Sequence, residues 1–349
     1  MEDFIHTLNA VIWSPALVAF CLGAGLFFSI KSRFVQLRLI PEMWRLLFQK
    51  KEDEIGLSSF QALSLTLAGR VGTGNIAGVA TAICFGGPGA LFWMWVVAFL
   101  GASSAFVEST LGQIYKERIE GQYRGGPAFY IERGLKLKAY AWAFAIVTIL
   151  ASCFFCPGVQ SNSIALAWNE AFGLDAEVTA AIVASITCFV IVGGLRRIAT
   201  FTSWVVPFMA QAYIVVALII VGVNWEQIPA VMTLIVNSAF GFDSLTGGML
   251  GAAIAWGVKR GIYSNEAGQG TGPHASSAAA VSHPAKQGLV QAFSVYIDTL
   301  FVCSATGFMI LMTGCYNMQA PDGSMIFEGL KGVEAGPVYT QAAIDQLMP

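Results

Sequence analysis

Gly69-Arg70-Val71-Gly72-Thr73-Gly74-Asn75-Ile76-Ala77-Gly78 and Lys259-Arg260-Gly261-Ile262-Tyr263-Ser264-Asn265-Glu266-Ala267-Gly268 decide the reading of this chain. Both contain R-x-x-x-x-N-x-A-G, and the offset from Arg70 to Arg260 is 190 residues. The same offset, without a gap, aligns Ala102, Ser104, Phe106, Val107, Glu108 and Ser109 with Ala292, Ser294, Tyr296, Ile297, Asp298 and Thr299. An arginine, an asparagine and an acid agreeing at one offset mark an internal repeat.

The surroundings of the two stretches are those of a bilayer. The chain has 349 residues, 56% hydrophobic and 11% charged, with a mean hydropathy of +0.66. Soluble domains carry about 25% charged residues, so a core of this size would lack a charged surface. Long apolar runs replace one, and such runs are read as membrane spans. A net charge of −2 gives no basic face for nucleic acid. The start, Met1-Glu2-Asp3, lacks the basic region of a cleavable signal.

Working outward, the first span is Val11–Ile30, an extra helix ahead of the repeat. A basic amphipathic stretch from Phe34 to Phe48, interrupted by Pro41, is expected along the membrane surface. Span 2 is Ser59–Phe85 and span 3 is Gly89–Tyr115. Span 4 is Ala139–Phe172, with Pro157-Gly158 inside it. Spans 5 and 6 are Ala176–Val192 and Thr200–Val223. Ile228–Phe240 reads as re-entrant, interfacial or the start of the next span. Span 7 is Gly247–Val281 and span 8 is Gln287–Thr313. The domain division is an extra helix (11–30), a first five-helix unit (59–223), the start of a second unit (247–313) and an extracytoplasmic loop (314–349).

Basic residues orient these spans. Of 19 Lys and Arg, fifteen fall in alternate connections: Lys31, Arg33, Arg38, Arg45, Lys50 and Lys51; Lys116, Arg118, Arg124, Arg133, Lys136 and Lys138; Arg196 and Arg197; Lys286. The opposite side holds Lys331. Such excess marks the cytoplasmic side, so the N-terminus is expected outside. Span 2 then leaves the cytoplasm and span 7 enters it, which makes the two units inverted repeats. The partner of span 4 is due near residue 329, where Lys331, Glu334 and Asp345 preclude a span. The second repeat is therefore read as incomplete and the chain as C-terminally truncated.

The chemistry follows from the breaks. A span breaks only where its freed backbone meets protein, ligand or water. Gly69, Gly72, Gly74 and Gly78 mark such a break in span 2. Gly257, Gly261, Gly268, Gly270, Gly272 and Pro273 mark one in span 7. Bare helix ends hold carboxylates and cations. Close packing through small residues is the plainer reading of one glycine run; two runs at matched positions favour a binding site. Asn75 and Asn265 bring amides that accept and donate, for substrate or ion contact or as helix glue. Gln160-Ser161-Asn162-Ser163 follows Pro157, and Gln160 is the expected pocket residue. Arg70, Glu108, Lys259, Arg260 and Asp298 are expensive in a bilayer and expected to pair, with Glu108 and Asp298 neutralising the three bases as structural or gating charges. His274 suggests proton coupling, whereas His283 reads as a loop residue. Cys153 and Cys156 form C-x-x-C outside any thioredoxin-like context and read as packing. No metal-ligand or catalytic-triad spacing occurs, so an enzyme is not expected.

These motifs, with Gly86-Gly87-Pro88-Gly89-Ala90-Leu91-Phe92-Trp93-Met94-Trp95 and Tyr123-Arg124-Gly125-Gly126-Pro127-Ala128-Phe129-Tyr130, resemble the alanine or glycine:cation symporter family, the sodium:alanine symporters. The resemblance implies an all-α polytopic membrane protein with a leucine-transporter-like (APC superfamily) inverted-repeat fold of eleven helices. It implies uptake of alanine or glycine with sodium across the plasma membrane, with no cofactor and no metal beyond sodium. The substrate contacts it transfers are Thr73, Gly74, Asn75, Gln160 and Asn265, with Gly72 and Asn75 offered to the ion. Part of the ion site of that fold belongs to a ninth helix, which this sequence lacks, so a second chain supplying the last helices is one expectation. The alternatives are a truncated or split carrier that is inactive alone, and a membrane sensor that binds an amino acid without moving it.

Overall fold

A computed structural model describes residues 7, 9, 11–49, 51, 53–242 and 249–347. Lys50, the first two residues of span 7 (247 and 248) and the acidic start at residues 1–6 lie outside the described residues.

Helix α1 (Pro15–Lys31) starts on a proline, whose missing N–H is no loss in a first turn. The expected surface stretch forms two short helices, α2 (Val35–Arg38) and α3 (Ile40–Leu47). Helix α4 (Ser59–Arg70) opens on a capping box. The Ser58 hydroxyl accepts from the Gln61 N–H at 3.1 Å, and the Gln61 side chain accepts from the Ser58 N–H at 3.0 Å. It ends at Arg70, and the backbone is extended at Val71 (φ −75°, ψ 102°). Winding resumes in α5 (Gly74–Gly86), whose first turn, Gly74–Gly78, is a π-turn.

Helix α6 (Gly89–Ile114) is the centre of the packing. A hairpin follows, β1 (Glu117–Ile119) with β2 (Gln122–Arg124), antiparallel with Glu117 opposite Arg124. Its two turn residues, Glu120 and Gly121, both have positive φ (49° and 75°), the geometry that suits strand twist in a two-residue turn. Tyr123 of the hairpin donates to Asp53 at 2.8 Å, which ties it to the segment before α4. Helix α7 (Pro127–Gly134) leads to α8 (Lys138–Phe172), 35 residues long. The ladder of α8 skips at Ala151–Phe155, just before Pro157, which has no N–H to give.

Helices α9 (Ala176–Ile191) and α10 (Gly194–Val223) follow, α10 starting earlier than expected. The ambiguous stretch is a helix, α11 (Ile228–Ala239). Helix α12 (Leu250–Asn265) stops at Glu266, which adopts a left-handed conformation (φ 53°). Helix α13 (Gly272–Ser277) resumes after six residues, two of them glycines with φ near 85°. Helix α14 (Pro284–Thr313) is π-wound over Tyr296–Cys303. The segment expected as a loop after residue 314 is instead ordered. It forms a hairpin, β3 (Asn317–Gln319) with β4 (Met325–Glu328), and a helix, α15 (Pro337–Leu347). Asn317 holds it together by donating to the carbonyls of Leu330 and Val333, and Tyr339 is fully buried. Polar composition excludes a span there but does not exclude structure.

Among the described residues, α6, α8, α10 and α14 are long and apolar enough to cross a membrane; α1, α5 and α9 are shorter apolar helices. Only 6% of the apolar window of α8 is buried against protein. Phe154, Phe155 and Trp142 on it face outward. In water this would forfeit the hydrophobic term; in lipid it does not. The protein-facing core lies around α6, where Leu63, Leu67, Ala98, Ala102 and Val290 pack on one side and Ile83, Leu91, Met94 and Ile310 on the other.

A cavity between two broken helices

Both interruptions open on one cavity of about 700 Å³. Gly69, Arg70, Gly72 and Gly74 line it from α4 and α5, and Glu266, Gln269 and Thr271 from the gap between α12 and α13. Cys156 and Gln160 close it from α8. Its lining also includes Leu195, next to the basic Arg196, and His274, whose Nδ1 is 3.1 Å from the Gly125 carbonyl.

Of the expected substrate residues, the fold brings three to this wall. Gly74 and Gln160 line the cavity. Thr73 donates to Gln160 Oε1 through its backbone N–H (3.2 Å) and its hydroxyl. The other two turn away. Asn75 is buried, and its Oδ1 accepts from the Gly72 N–H at 2.7 Å, while its Nδ2 donates to Asp298 Oδ1 at 2.7 Å. Asn265 is also buried: it accepts from the Ala267 N–H and donates to Thr299. Each asparagine thus shapes a break from behind. Of the two residues expected at the ion, Gly72 lines the cavity and Asn75 does not.

The expected pairing of charges is met in part: Arg70 interacts electrostatically with Glu108 and Asp298, whereas Lys259 and Arg260 meet neither acid. Among the described residues the ion pairs closer than 4.0 Å are Arg45–Glu42, Lys51–Glu54, Arg124–Glu120 and Arg133–Glu117, none of them in the spans. Lys259 lies over the rings of Trp13 and Trp256, and Arg260 over Trp256 and Tyr263. Aromatic faces, not carboxylates, receive these two cations. Arg70 is buried and donates to the Gln291 carbonyl (3.3 Å) and the Ser294 hydroxyl of α14. Glu108 caps the second break, accepting from the N–H groups of Gly268 (3.3 Å) and Gly270 (3.0 Å). Arg70 and Glu108 still share one space: a Cβ on Gly272 would lie 3.1 Å from Arg70 Nη2 and 3.6 Å from Glu108 Oε1.

Sequence reasoning misses Glu266, Tyr263, Gln269 and Thr271 as cavity residues. Glu266 carries a signal, since it stands inside the repeated motif where Ile76 stands in the first copy. Its carboxylate accepts from the Thr271 hydroxyl at 2.7 Å. Cys153 and Cys156 are free thiols, as are the other cysteines.

A multi-pass helical membrane protein, with a cavity between two interrupted helices, has the build of a carrier. The description "Sodium:alanine symporter family" matches residues 1–345, and the chain belongs to that family; its members are transporters, not enzymes. It is 62% identical over its whole length to YrbD of Bacillus subtilis (strain 168), provisionally named a sodium/proton-dependent alanine carrier, and covers 72% of that protein. It is 50% identical to the sodium/proton-dependent alanine carrier protein of Bacillus sp. (strain PS3), over 88% of this chain and 69% of that one. It is 39% identical to the sodium/alanine symporter AgcS of Methanococcus maripaludis, over 99% of this chain and 76% of that one.

Proposed function

We propose that this chain is a secondary active transporter that carries alanine or glycine into the cell with sodium, by alternating access. One observation supports this above the rest: two interruptions far apart in sequence line a single cavity. The relatives' names point to the same cargo.

In this reading Thr73 and Gly74 offer N–H groups at the start of α5 to the amino acid's carboxylate. The Glu266 carboxylate and the Gln160 carbonyl receive its ammonium. The Thr73–Gln160 bond yields to the substrate on binding. Sodium is cargo here and takes oxygen ligands near the first break. The chain folds as a leucine-transporter-like protein, with α1 as the extra helix and the motifs at Arg70 and Arg260 in oppositely oriented units. The N-terminus is extracytoplasmic and the cavity mouth cytoplasmic. Substrate and ion enter from one side and leave by the other as one group of helices rocks against the rest.

The test is uptake of labelled alanine into proteoliposomes under an inward sodium gradient, with potassium as control. Sodium-driven accumulation that excess glycine reduces is the expected result. Alanine binding without accumulation would sink the carrier reading.

A further inference from the structure

A second cavity, of about 330 Å³, lies behind the second break. Helix α1 lines it through Phe20, Ala24 and Phe28, and α6 through Val97, Ser104 and Glu108. The chain between α12 and α13 partitions it from the first cavity. Ala267 and Gly268 line the second, whereas Glu266, Gln269 and Thr271 line the first. Most of the lining is apolar, and three groups are not. The buried Glu108 carboxylate has about four acceptor sites, and the Gly268 and Gly270 N–H groups take two of them. Arg70 acts on this acid from the side of the first cavity and from beyond 4.0 Å. The hydroxyls of Ser104 and Tyr130 also line the second cavity, and neither makes a hydrogen bond to another described residue. The lining is graded along α6. Glu108 lies near the end of that helix at Ile114, beyond which comes Lys116, and Val97 lies roughly 16 Å further from that end. Phe28 likewise precedes the end of α1 at Lys31.

We propose that this second cavity binds an amphiphile: a single apolar chain that ends in a primary amine. The site goes beyond the carrier reading, and only its effect on alanine rests on that reading. Ligand pockets of roughly 300–1,000 Å³ are mostly apolar with a few placed polar groups, and between helices they are common. This cavity stands at the small end of that range, which suits one chain. An ammonium brings three donors and a positive charge. The Glu108 carboxylate answers the charge and has acceptor sites to spare, and the Ser104 and Tyr130 hydroxyls can accept as well. An anionic head would meet Glu108 and be refused. The chain enters from lipid beside Phe20, whose ring is 70% exposed, and its head comes to rest toward the basic ends of α1 and α6. There the ammonium competes with Gly268 and Gly270 for Glu108. The partition that carries Glu266 then shifts, and the first cavity loses the shape that takes alanine. Amphiphile and alanine lower each other's affinity, as linkage requires.

The test uses the purified full chain in phosphatidylcholine nanodiscs and a dodecylamine that carries a photoactivatable diazirine, with labelled peptides mapped by mass spectrometry. Saturable labelling of α1 and α6 is expected, competed by plain dodecylamine and not by dodecanol or dodecanoate. Ala24→Phe fills the cavity and is expected to abolish that labelling. Glu108→Gln is expected to need about tenfold more probe. Labelling that never saturates and spreads over α8 and α9, or that persists in Ala24→Phe, overturns the site. Equal competition by dodecanol overturns the amine. If Glu108→Gln fails to fold, Ala24→Phe and the competition decide. Saturating dodecylamine is expected to weaken equilibrium binding of labelled alanine about tenfold in wild type and to leave it unchanged in Ala24→Phe. Saturable labelling with unchanged alanine binding overturns the coupling alone. A chain that is labelled as expected but neither binds nor accumulates alanine keeps this site and loses the carrier reading.

Discussion

Gly74 shows how little room the first break leaves. A Cβ there would stand 3.0 Å from Ser264 Cα and 3.3 Å from its Cβ, and the backbone of the second broken helix cannot step aside. Gly69 differs: its Cβ would meet only the Glu266 carboxylate at 3.7 and 3.8 Å, an ordinary contact. Overpacking of a filled site costs about 1–3 kcal/mol. Gly74→Ala is therefore expected to weaken alanine binding about tenfold or more, and Gly69→Ala to stay within about twofold, both measured by equilibrium binding of labelled alanine. At this scale the sequence is legible in residue type and not in direction. Asn75 and Asn265 are visible as polar groups beside glycine breaks. That they face Asp298 and Thr299 depends on partners folded in from α14 and on the extended step at Val71. Lys259 and Arg260 are visible as costly charges, but the aromatic rings that receive them are partly remote in sequence, as Trp13 is.

At the scale of elements, the gap between α12 and α13 is held open by one side chain of α6. Glu108 accepts from Gly268 and Gly270, and Gly270 (φ 84°) has Pro127 Cγ 2.6 Å from where a Cβ would be. Hydrogen bonds to a charged group contribute about 1.5–3 kcal/mol. Glu108→Ala is expected to free the segment 266–271, seen as faster amide exchange there by mass spectrometry, with α6 itself unchanged. Equal protection in variant and wild type would assign the gap's shape to the glycines alone. Glycine and proline make both breaks readable from sequence, because those residues change what the backbone can do. The π-winding of Tyr296–Cys303 is not readable: that stretch holds neither glycine nor proline, and its winding answers to the neighbours of Asp298. The hairpin of β1 and β2 is equally hidden, in a stretch whose sequence speaks mainly through its charge. Lys116 counts there as one basic residue among six, yet it also has a structural task. It donates to the Ala279 carbonyl at 2.7 Å and lies over the Tyr123 ring, which anchors the hairpin to the residues just after α13.

For the whole molecule, hydropathy and the distribution of basic residues set the arrangement. The apolar helices turn large side chains outward, and the Lys and Arg residues fall mainly in alternate connections. The proposed orientation predicts which ends an impermeant maleimide reaches. In a background without native cysteines, Asp322→Cys is expected to label from outside intact cells and Arg118→Cys only after the membrane is opened. The reverse pattern would invert the topology. This scale is the most legible from sequence, because lipid imposes one rule on every span at once. The ordered tail is the exception, since its burial comes from contacts with helices far earlier in the chain.

That tail has a consequence for traffic. Helix α15 lies against the π-turn of α5, and its Gln341 donates to the Ala167 carbonyl of α8 at 2.9 Å. It acts as a clasp between the first break and α8: in the proposed rocking cycle, parting those two helices means unseating a folded segment as well as separating side chains.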